Sequence, residues 1–279
     1  MKRNTESGSL EKMEVRTDLQ LAAHASVACR WIQCGTIKIP LFTTGLCTSS
    51  MDVAWHLSTK RCFPDWASVL SAAQSSGRGQ FGRSWCSPAG NLYATVRIQQ
   101  PGPSWNDLLP LMLAEAMRGV LNTLGLTPAI KWPNDLIIGG KKVGGILLER
   151  RNDIVMAGLG LNLISAPQPS ELRHPLAQPA GYLGQFGLRL APMQVWIPFI
   201  REARALIRRA LLDGAPRRFV ENLTPHLAYR GETVLLDAYA AGQQPAVFQG
   251  LDENGAIKVL TAEGERTFHS GSLYPMNQS

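Results

Sequence analysis

Four short apolar runs between residues 129 and 163 constrain the fold more than any other feature of the sequence. Each run has the length and composition of a strand rather than a helix. Gly139-Gly140 separates two of the runs and is a typical hairpin turn signal. This segment therefore predicts an antiparallel sheet. Its predicted strands are residues 129–132, 136–138, 142–149 and 154–163.

Outside this segment, the main part of the chain is predicted to contain both strands and helices. Residues 104–125 are typical of a long helix, with Ser104 and Asp107 spaced as a capping box and Gly125 at its end. Residues 193–212 predict a second long helix, kinked or started late by Pro198. Further predicted elements are a short helix capped by Ser49 or Ser50, a helical stretch at 219–227 and strands at 36–42, 68–73 and 91–99.

The sequence changes character after residue 229. Four short strands follow, separated by Gly242, Asn254-Gly255 and Glu263-Gly264, which predicts a small all-β barrel. We therefore divide the chain into a partly disordered N-terminal extension, a main domain and a small C-terminal domain. The predicted boundaries are residues 1–35, 36–227 and 228–279.

Composition limits the kind of protein this is. No stretch approaches the ~20 apolar residues of a membrane span, and the N-terminus lacks the apolar run of a secretory signal. The five cysteines are an odd number without a Cys-x-x-Cys pair, which indicates reduced thiols and a cytoplasmic location. The five histidines show no metal-ligand spacing. The net charge of +7 favours acidic partners, and a nucleotide or an acidic carrier protein explains it as well as nucleic acid does.

A glycine-rich segment, residues 77–83, is the first candidate binding element. Gly77, Gly79 and Gly82 let the backbone approach a ligand, and their N–H groups can form an anion-binding nest. Arg78 and Arg83 add fixed positive charge. Although a lone Gly-Arg-Gly would be a solvated surface loop, paired arginines on three glycines directly after a strand predict phosphate or carboxylate binding.

Three later segments are weaker signals on their own. Residues 131–135, Lys-Trp-Pro-Asn-Asp, end a predicted strand in a turn, and residues 141–149 place a lysine before small strand residues. Glycines also interrupt the strand at residues 158–162, which indicates close approach by a ligand or by another part of the chain. The chain has no P-loop and no Gly-x-Ser-x-Gly elbow, and Cys86 has no evident base.

Taken together and in this order, these segments resemble the biotin protein ligases. That family combines Gly-Arg-Gly-x-x-Gly-Arg, a tryptophan, Lys-Trp-Pro-Asn-Asp, Lys-x-x-Gly-Ile-Leu-x-Glu and Gly-x-Gly-x-Asn, and the match covers residues 36–221. The resemblance implies a mixed, largely antiparallel sheet with flanking helices, as in class II synthetases, and an SH3-like C-terminal barrel. It is most similar to the monofunctional members that lack a DNA-binding domain.

The resemblance also implies roles for individual residues. The implied catalytic residues are Arg78, Arg83, Lys142 and Asp135. Biotin would contact Ser49, Ser50, Met51, Gln74, Arg78, Gly79, Gln80, Lys142 and Gly144. ATP would contact Arg83, Trp85, Lys131, Asn134 and Asn162, and no metal ligand is certain.

Two positions depart from the family pattern. Ser50-Met51 replaces the commoner Thr-Asn, which puts one contact to the biotin ureido group in doubt. Gln80 stands where some members carry a third loop arginine, which predicts weaker retention of the adenylate.

The implied activity is ATP-dependent formation of biotinyl-5'-AMP with Mg²⁺, followed by transfer of biotin to a lysine of a biotin carboxyl carrier protein. No DNA or membrane partner is expected, and the protein would be a monomer or a homodimer. Three alternatives stay open: a lipoate or octanoate transferase of the same fold, a non-catalytic biotin-responsive regulatory protein, and a basic nucleic-acid-binding protein with a degenerate ligase fold.

Overall fold

An eight-stranded sheet forms the main body of the protein. The computed structural model describes residues 27–34, 36–171, 178–238 and 242–276. All neighbouring strands in this sheet are antiparallel except β2 and β3. In spatial order the strands are β1 (Val27–Cys34), β2 (Ile37–Cys47), β3 (Ser68–Gln74), β4 (Leu92–Ile98), β8 (Ile154–Leu161), β7 (Lys141–Arg151), β6 (Asp135–Ile138) and β5 (Ala129–Lys131).

Helices cover both faces of this sheet. The long helices α2 (Leu109–Thr123) and α3 (Pro192–Asp213) pack on one face and form the larger core. The short helix α1 (Ser50–Thr59) packs on the other face in a smaller core with Phe42, Val69 and Met156. A fourth helix, α4 (Pro216–Leu223), leads toward the C-terminal part of the chain.

A second, five-stranded antiparallel sheet follows. In spatial order it contains β12 (Gly264–Phe268), β11 (Ile257–Thr261), β10 (Gly242–Leu251), β9 (Thr233–Ala238) and β13 (Ser272–Pro275). The predicted fold class is therefore confirmed: a mixed α/β body with a largely antiparallel sheet and a small antiparallel sheet at the C-terminus.

Local sequence signals account for several element boundaries. Gly139 and Gly140 have φ of 53° and 71°, as the predicted hairpin between β6 and β7 requires. Ser49 caps α1, because its hydroxyl accepts the backbone N–H of Met51 at 3.2 Å. Gly125, with φ of 85°, follows the end of α2.

The predicted helix starts need correction. The capping box of Ser104 and Asp107 is wrong, because α2 begins at Leu109 and Ser104 belongs to a separate short 3-10 turn. Pro110 lies in the first turn of α2, where a proline removes no helical hydrogen bond. A late start of the second long helix is also wrong, because α3 begins at Pro192 and continues through Pro198.

Two strands lie in regions for which no strand is predicted. β1 lies in the predicted N-terminal extension and forms an edge of the large sheet, and β13 completes the small one. Partial disorder is predicted for residues 1–35; of these the structure describes residues 27–34, and the others lie outside the described residues. Across the part of the chain that the structure describes, no helix has both the length and the apolar character needed to cross a membrane.

Trp132 connects the two sheets. Its side chain is buried, and its indole N–H donates to the carbonyl of Gly255 at 2.9 Å. Gly255 has φ of 84°, and a Cβ there would come within 2.7 Å of Leu108. The backbone N–H of Ala228 also donates to the carbonyl of Ile130 at 2.8 Å. The small sheet is therefore docked against the end of the large one.

Trp132→Phe should lower the free energy of unfolding by about 2 kcal/mol, because the buried carbonyl of Gly255 loses its donor. Urea denaturation measures this change. Trp31→Phe is the control, since Trp31 is 60% exposed on β1 and should change stability by less than ~0.5 kcal/mol. Equal stability of the wild-type and Trp132→Phe proteins would contradict the role of this contact.

Candidate active site

A cavity of about 500 Å³ lies over the middle of the large sheet and reaches the small one. Its wall combines the start of α1, the end of β3, the glycine-rich segment 77–83, the turn between β5 and β6, and strands β7, β8 and β13. The structure brings all but one of the sequence-predicted site residues to this wall. They are Ser49, Ser50, Met51, Gln74, Arg78, Gly79, Gln80, Arg83, Trp85, Lys131, Asn134, Asp135, Lys142 and Asn162.

Gly144 is the exception. A Cβ at this position would point away from the cavity, toward the side chain of Leu161 and the carbonyl of Gly160. The next residue, Gly145, faces the cavity instead, as the alternation of side chains along β7 requires. Gly145, not Gly144, therefore belongs to the cavity wall.

Glycines form the floor of the cavity because side chains from elsewhere occupy the space above them. A Cβ on Gly160 would come within 2.5 Å of the Trp85 indole, and one on Gly145 would be 3.3 Å from the same ring. A Cβ on Gly158 would be 3.0 Å from Met51 Cε. The close approach predicted from these glycines is therefore made by Trp85 and Met51. The Trp85 indole N–H is buried and has no hydrogen-bond partner among the described residues.

Cations line the side of the cavity near the β5–β6 turn. Lys142 Nζ lies 2.6 Å from Asp135 Oδ1 and 5.3 Å from the centre of the Trp85 ring. Lys131 is buried and its Nζ lies 5.4 Å from the Tyr274 ring centre. Arg83 is exposed near the tip of the glycine-rich segment. Such a group of cations is suited to anionic ligands.

Burial lowers the pKa of Lys131 to about 8. The negative charge of Asp135 raises this pKa, whereas the positive charges of Lys142 and Arg83 lower it further. Lys131 is therefore a cation that the fold holds at a cost to stability, which is common at functional sites.

Arg78 makes the strongest charged contacts in the glycine-rich segment. Its guanidinium donates to both carboxylate oxygens of Asp52, at 2.7 and 3.1 Å, and to Glu149 at 3.4 Å. Sequence reasoning did not single out either carboxylate. Asp52 lies in the first turn of α1, where an acidic residue is already explained by the helix dipole. Glu149 belongs to a recognised motif, but nothing in the sequence indicates that it meets Arg78.

At the other end of the cavity, polar side chains are joined to one another. The Ser50 hydroxyl lies 2.9 Å from that of Thr95, and the Ser50 backbone N–H donates to Gln74 Oε1 at 2.8 Å. Gln74 Nε2 donates to the Ser87 hydroxyl at 2.8 Å. Because Met51 is buried beside them, this end combines an ordered polar network with one flexible apolar side chain.

Two buried asparagines hold the backbone around the cavity. The side-chain amide of Asn134 donates to the carbonyl of Ile146, and the backbone N–H of Ile146 donates back to the carbonyl of Asn134 at 3.1 Å. The amide of Asn162 donates to the carbonyl of Gly181 at 2.9 Å. These contacts fix the turn after β5 and the end of β8.

The C-terminal sheet contributes two residues that the sequence did not reveal. Ser272 and Tyr274, both on β13, line the cavity. Because β13 itself was not predicted, no local signal could have identified them. The cavity is thus built by both sheets.

Gly160→Ala should displace the Trp85 indole, because the new methyl group would overlap it. We expect a shift in tryptophan emission and weaker binding of any ligand of this cavity. Gly119→Ala is the matched control, since no atom lies near its Cβ position and helix α2 should gain about 0.5 to 1 kcal/mol. An unchanged emission spectrum in Gly160→Ala would contradict the packing described for Trp85.

Lys131→Met should be more stable than the wild type at neutral pH, and this advantage should shrink with rising pH. The folded-state pKa of about 8 lies below the usual 10.5, so the unfolded chain holds the extra proton between these values. The destabilisation by Lys131 is therefore complete below pH 8 and disappears by about pH 10.5. Denaturation measured from pH 7 to 10.5 should show that the difference in free energy of unfolding between Lys131→Met and the wild type falls by about 3 kcal/mol. Lys258→Met, at an exposed position, is the control, and a constant difference between wild type and Lys131→Met would disprove the effect.

Comparison with known proteins gives this cavity a context. Residues 47–162 match the model of the biotin/lipoate A/B protein ligase family. A biotin–[acetyl-CoA-carboxylase] ligase of Paracoccus denitrificans is 29% identical over 216 residues, which cover 74% of this chain and 89% of the relative. The chain spans less than half the length of the bifunctional ligase/repressor relatives that it also matches.

Solved structures of biotin protein ligases have the same fold as this chain. The biotin protein ligase of Aquifex aeolicus in complex with biotin and ATP is 24% identical, with a TM-score of 0.71 over 84% of this chain and 97% of that one. The Leishmania major biotin protein ligase in complex with biotin is 26% identical, with a TM-score of 0.60 over 86% of this chain and 98% of that one. The matched segment runs from the end of β2 to Asn162 and carries most of the cavity wall. The chain therefore shares the fold of these biotin protein ligases, and residues 47–162 are similar to the biotin/lipoate A/B protein ligase family.

Proposed function

We propose that the protein is an ATP-dependent biotin protein ligase. It would form biotinyl-5'-AMP and transfer the biotin to a lysine of a biotin carboxyl carrier protein. The observation that carries this proposal is the single cavity in which Arg78, Arg83, Lys131 and Lys142 meet over a glycine floor. The names of the relatives support the same activity.

The cations would reduce the charge repulsion that opposes the first step, the reaction of the acid with ATP. A carboxylate must approach the α-phosphate of ATP, and two unit charges 4 Å apart repel by about 4 kcal/mol at an effective dielectric of 20. Lys142, Lys131 and Arg83 line the cavity and would offset this repulsion and the charge that develops at phosphorus. In-line attack by the carboxylate oxygen would form the mixed anhydride and release pyrophosphate.

Lys142 is the cation best prepared for this task. Its ammonium is held by Asp135 and rests on the Trp85 ring, so its position is set before a ligand arrives. A preorganised donor of this kind lowers the barrier without reorganisation during the reaction. We assign Lys142 to the carboxyl and phosphate oxygens of the reacting groups.

The mixed anhydride must then be kept from water. The tip of the glycine-rich segment, Gln80 to Gly82, is suited to this because Phe81 is 70% exposed and has φ of 56°. An exposed apolar side chain beside flexible glycines can close over a ligand and exclude water. In the second step the acceptor lysine loses a proton as it attacks the acyl carbon, and AMP leaves. Asp135, which lines the same cavity, would accept this proton.

Mg²⁺ fits this cavity only as a partner of the nucleotide. The structure holds no cluster of three or more histidine, cysteine, aspartate or glutamate side chains suited to a metal among its described residues. Asp135 and Glu171 nevertheless line the cavity, and Mg²⁺ is commonly held by one or two carboxylates together with phosphates. When bound, the ion would neutralise charge on the phosphates.

Other parts of the proposal extend beyond the cavity. We propose a cytoplasmic enzyme whose partner is the carrier protein, acting as a monomer or homodimer without DNA. We also propose a domain boundary near residue 228, between α4 and the C-terminal sheet. The monofunctional activity is supported by the Paracoccus relative, most of whose length the chain covers.

Wild-type protein should catalyse ATP–pyrophosphate exchange that depends on biotin. Lipoate and octanoate are the comparison acids, because the matched family includes lipoate ligases and the buried Met51 adds an apolar contact. Exchange with lipoate or octanoate instead of biotin would replace this proposal with the lipoate or octanoate alternative. A folded protein that supports no exchange with any of the three acids would contradict ligase activity.

Lys142→Ala and Arg83→Ala should each slow biotin-dependent exchange by about 10² or more, as expected when a preorganised donor is removed. Lys141→Ala is the matched control, because Lys141 precedes Lys142 on β7 but is exposed and does not line the cavity. Full exchange activity in either test variant would show that the role assigned to that residue is wrong.

A further inference from the structure

The guanidinium of Arg78 is held by carboxylates that come from outside the glycine-rich segment. Asp52 lies on α1 and binds it through both oxygens, at 2.7 and 3.1 Å. Asp52 is itself oriented by the Thr48 hydroxyl, which donates to Oδ2 at 3.0 Å. Glu149, near the end of β7, accepts a third hydrogen bond from Arg78 at 3.4 Å.

Glu149 is in turn fixed by two further side chains. The indole N–H of Trp55, on α1, donates to Glu149 Oε2 at 2.8 Å. Arg151 lies 3.5 Å from the same oxygen and 4.3 Å above the Trp55 ring. Each carboxylate that contacts Arg78 therefore has its own support, and none of these supports belongs to residues 77–83.

These contacts leave Arg78 able to bind a ligand. A guanidinium has five N–H donors in one plane, and three of them are used by Asp52 and Glu149. Arg78 also lines the cavity and is partly exposed. Its remaining donors are thus held in one orientation in the cavity wall.

The base of the glycine-rich segment is fixed by contacts with the residues that follow it, whereas its tip is held, among the described residues, only from within the turn, where the Gly79 N–H donates to the carbonyl of Arg83 at 2.7 Å. The backbone N–H of Trp85 donates to the carbonyl of Gly77 at 2.8 Å, and Arg78 pairs with Ser84 across the segment. A Cβ on Gly77 would come within 2.5 Å of the Ser87 hydroxyl. The position of Arg78 is therefore set by the base of the segment and by carboxylates outside it, and does not depend on the tip.

We propose that Asp52 and Glu149 are positioning residues that hold Arg78 where it binds the carboxylate of the acid substrate. The inference rests on the proposed function for the identity of that acid. Burial raises the pKa of Asp52, but its hydrogen bonds and ion pair with Arg78 outweigh this effect, so its pKa is below the ordinary value and it stays ionised. The opposite possibility is that Asp52 competes with the substrate for Arg78.

The test compares biotin binding to wild type, Asp52→Asn and Glu149→Gln by isothermal titration calorimetry. We expect the Kd for biotin to rise about tenfold in Asp52→Asn and somewhat less in Glu149→Gln, as is typical when a support behind a ligand-binding group is lost. The KM for biotin in the exchange assay should rise equally, with kcat and the KM for ATP within about twofold of wild type. Asp52→Glu, which keeps the charge, should restore part of the affinity.

Glu115→Gln provides the matched control. Glu115 binds Arg118 through both oxygens, at 2.6 and 2.7 Å, in a pair of the same kind that lies on α2 away from the cavity. This variant should leave biotin binding unchanged. Thr48→Val is a milder second variant that keeps Asp52 but removes its orienting hydrogen bond, and should raise the Kd by about twofold to threefold.

A thermodynamic cycle separates positioning from a direct effect of Asp52. In an Arg78→Ala background, Asp52→Asn should no longer weaken biotin binding. Unchanged or tighter binding by Asp52→Asn in the wild-type background would overturn the inference, and tighter binding would support competition instead. Biotin binding by the wild-type protein is measured separately. Failure of the wild type to bind biotin would contradict the proposed function, whereas the variants test positioning by Asp52 and Glu149.

Discussion

The close approach of Trp85 to the centre of the large sheet is the constraint on which the cavity depends. β7 and β8 are adjacent, and Gly145 and Gly160 face the cavity from their paired positions. Any side chain at Gly160 would overlap the indole. The absence of side chains here seats Trp85 at the bottom of the cavity, so a ligand would meet the indole rather than the backbone beneath it. The glycine pattern in the sequence therefore reflects a packing requirement that shapes the cavity.

The cations around this floor differ in how many carboxylates lie beside them. Arg78 is balanced by two carboxylates, whereas Lys131 and Lys142 share one, Asp135, beside them. The side of the cavity near the β5–β6 turn is thus left with excess positive charge. Burial is the main cause of the lowered pKa of Lys131, and the neighbouring cations Lys142 and Arg83 lower it further at a cost to the folded state. An anionic ligand would relieve that cost, which links ligand binding to stability.

The sequence allowed prediction of most of the fold and of the composition of the cavity, because both rest on local patterns. The hairpin at Gly139-Gly140 and the cap at Ser49 follow from turn and capping chemistry. The first and last strands were not predicted, because β1 and β13 are edge strands whose formation depends on their partner strands. The contacts of Arg78 with Asp52 and Glu149 could not be predicted, because they join residues 26 and 71 positions apart. Motifs predict which residues line the cavity, whereas only the fold shows what holds them.

The contribution of β13 to the cavity has a consequence for how such proteins can diverge. Ser272 and Tyr274 form part of the wall, and Trp132 attaches the small sheet directly behind the Lys-Trp-Pro-Asn-Asp turn. The two sheets therefore cannot be exchanged independently of each other. A chimera that takes its C-terminal sheet from a relative would also change part of the cavity wall and the aromatic neighbour of Lys131. A substitution on one side of this junction therefore calls for a matching change on the other side if the cavity is to keep its shape.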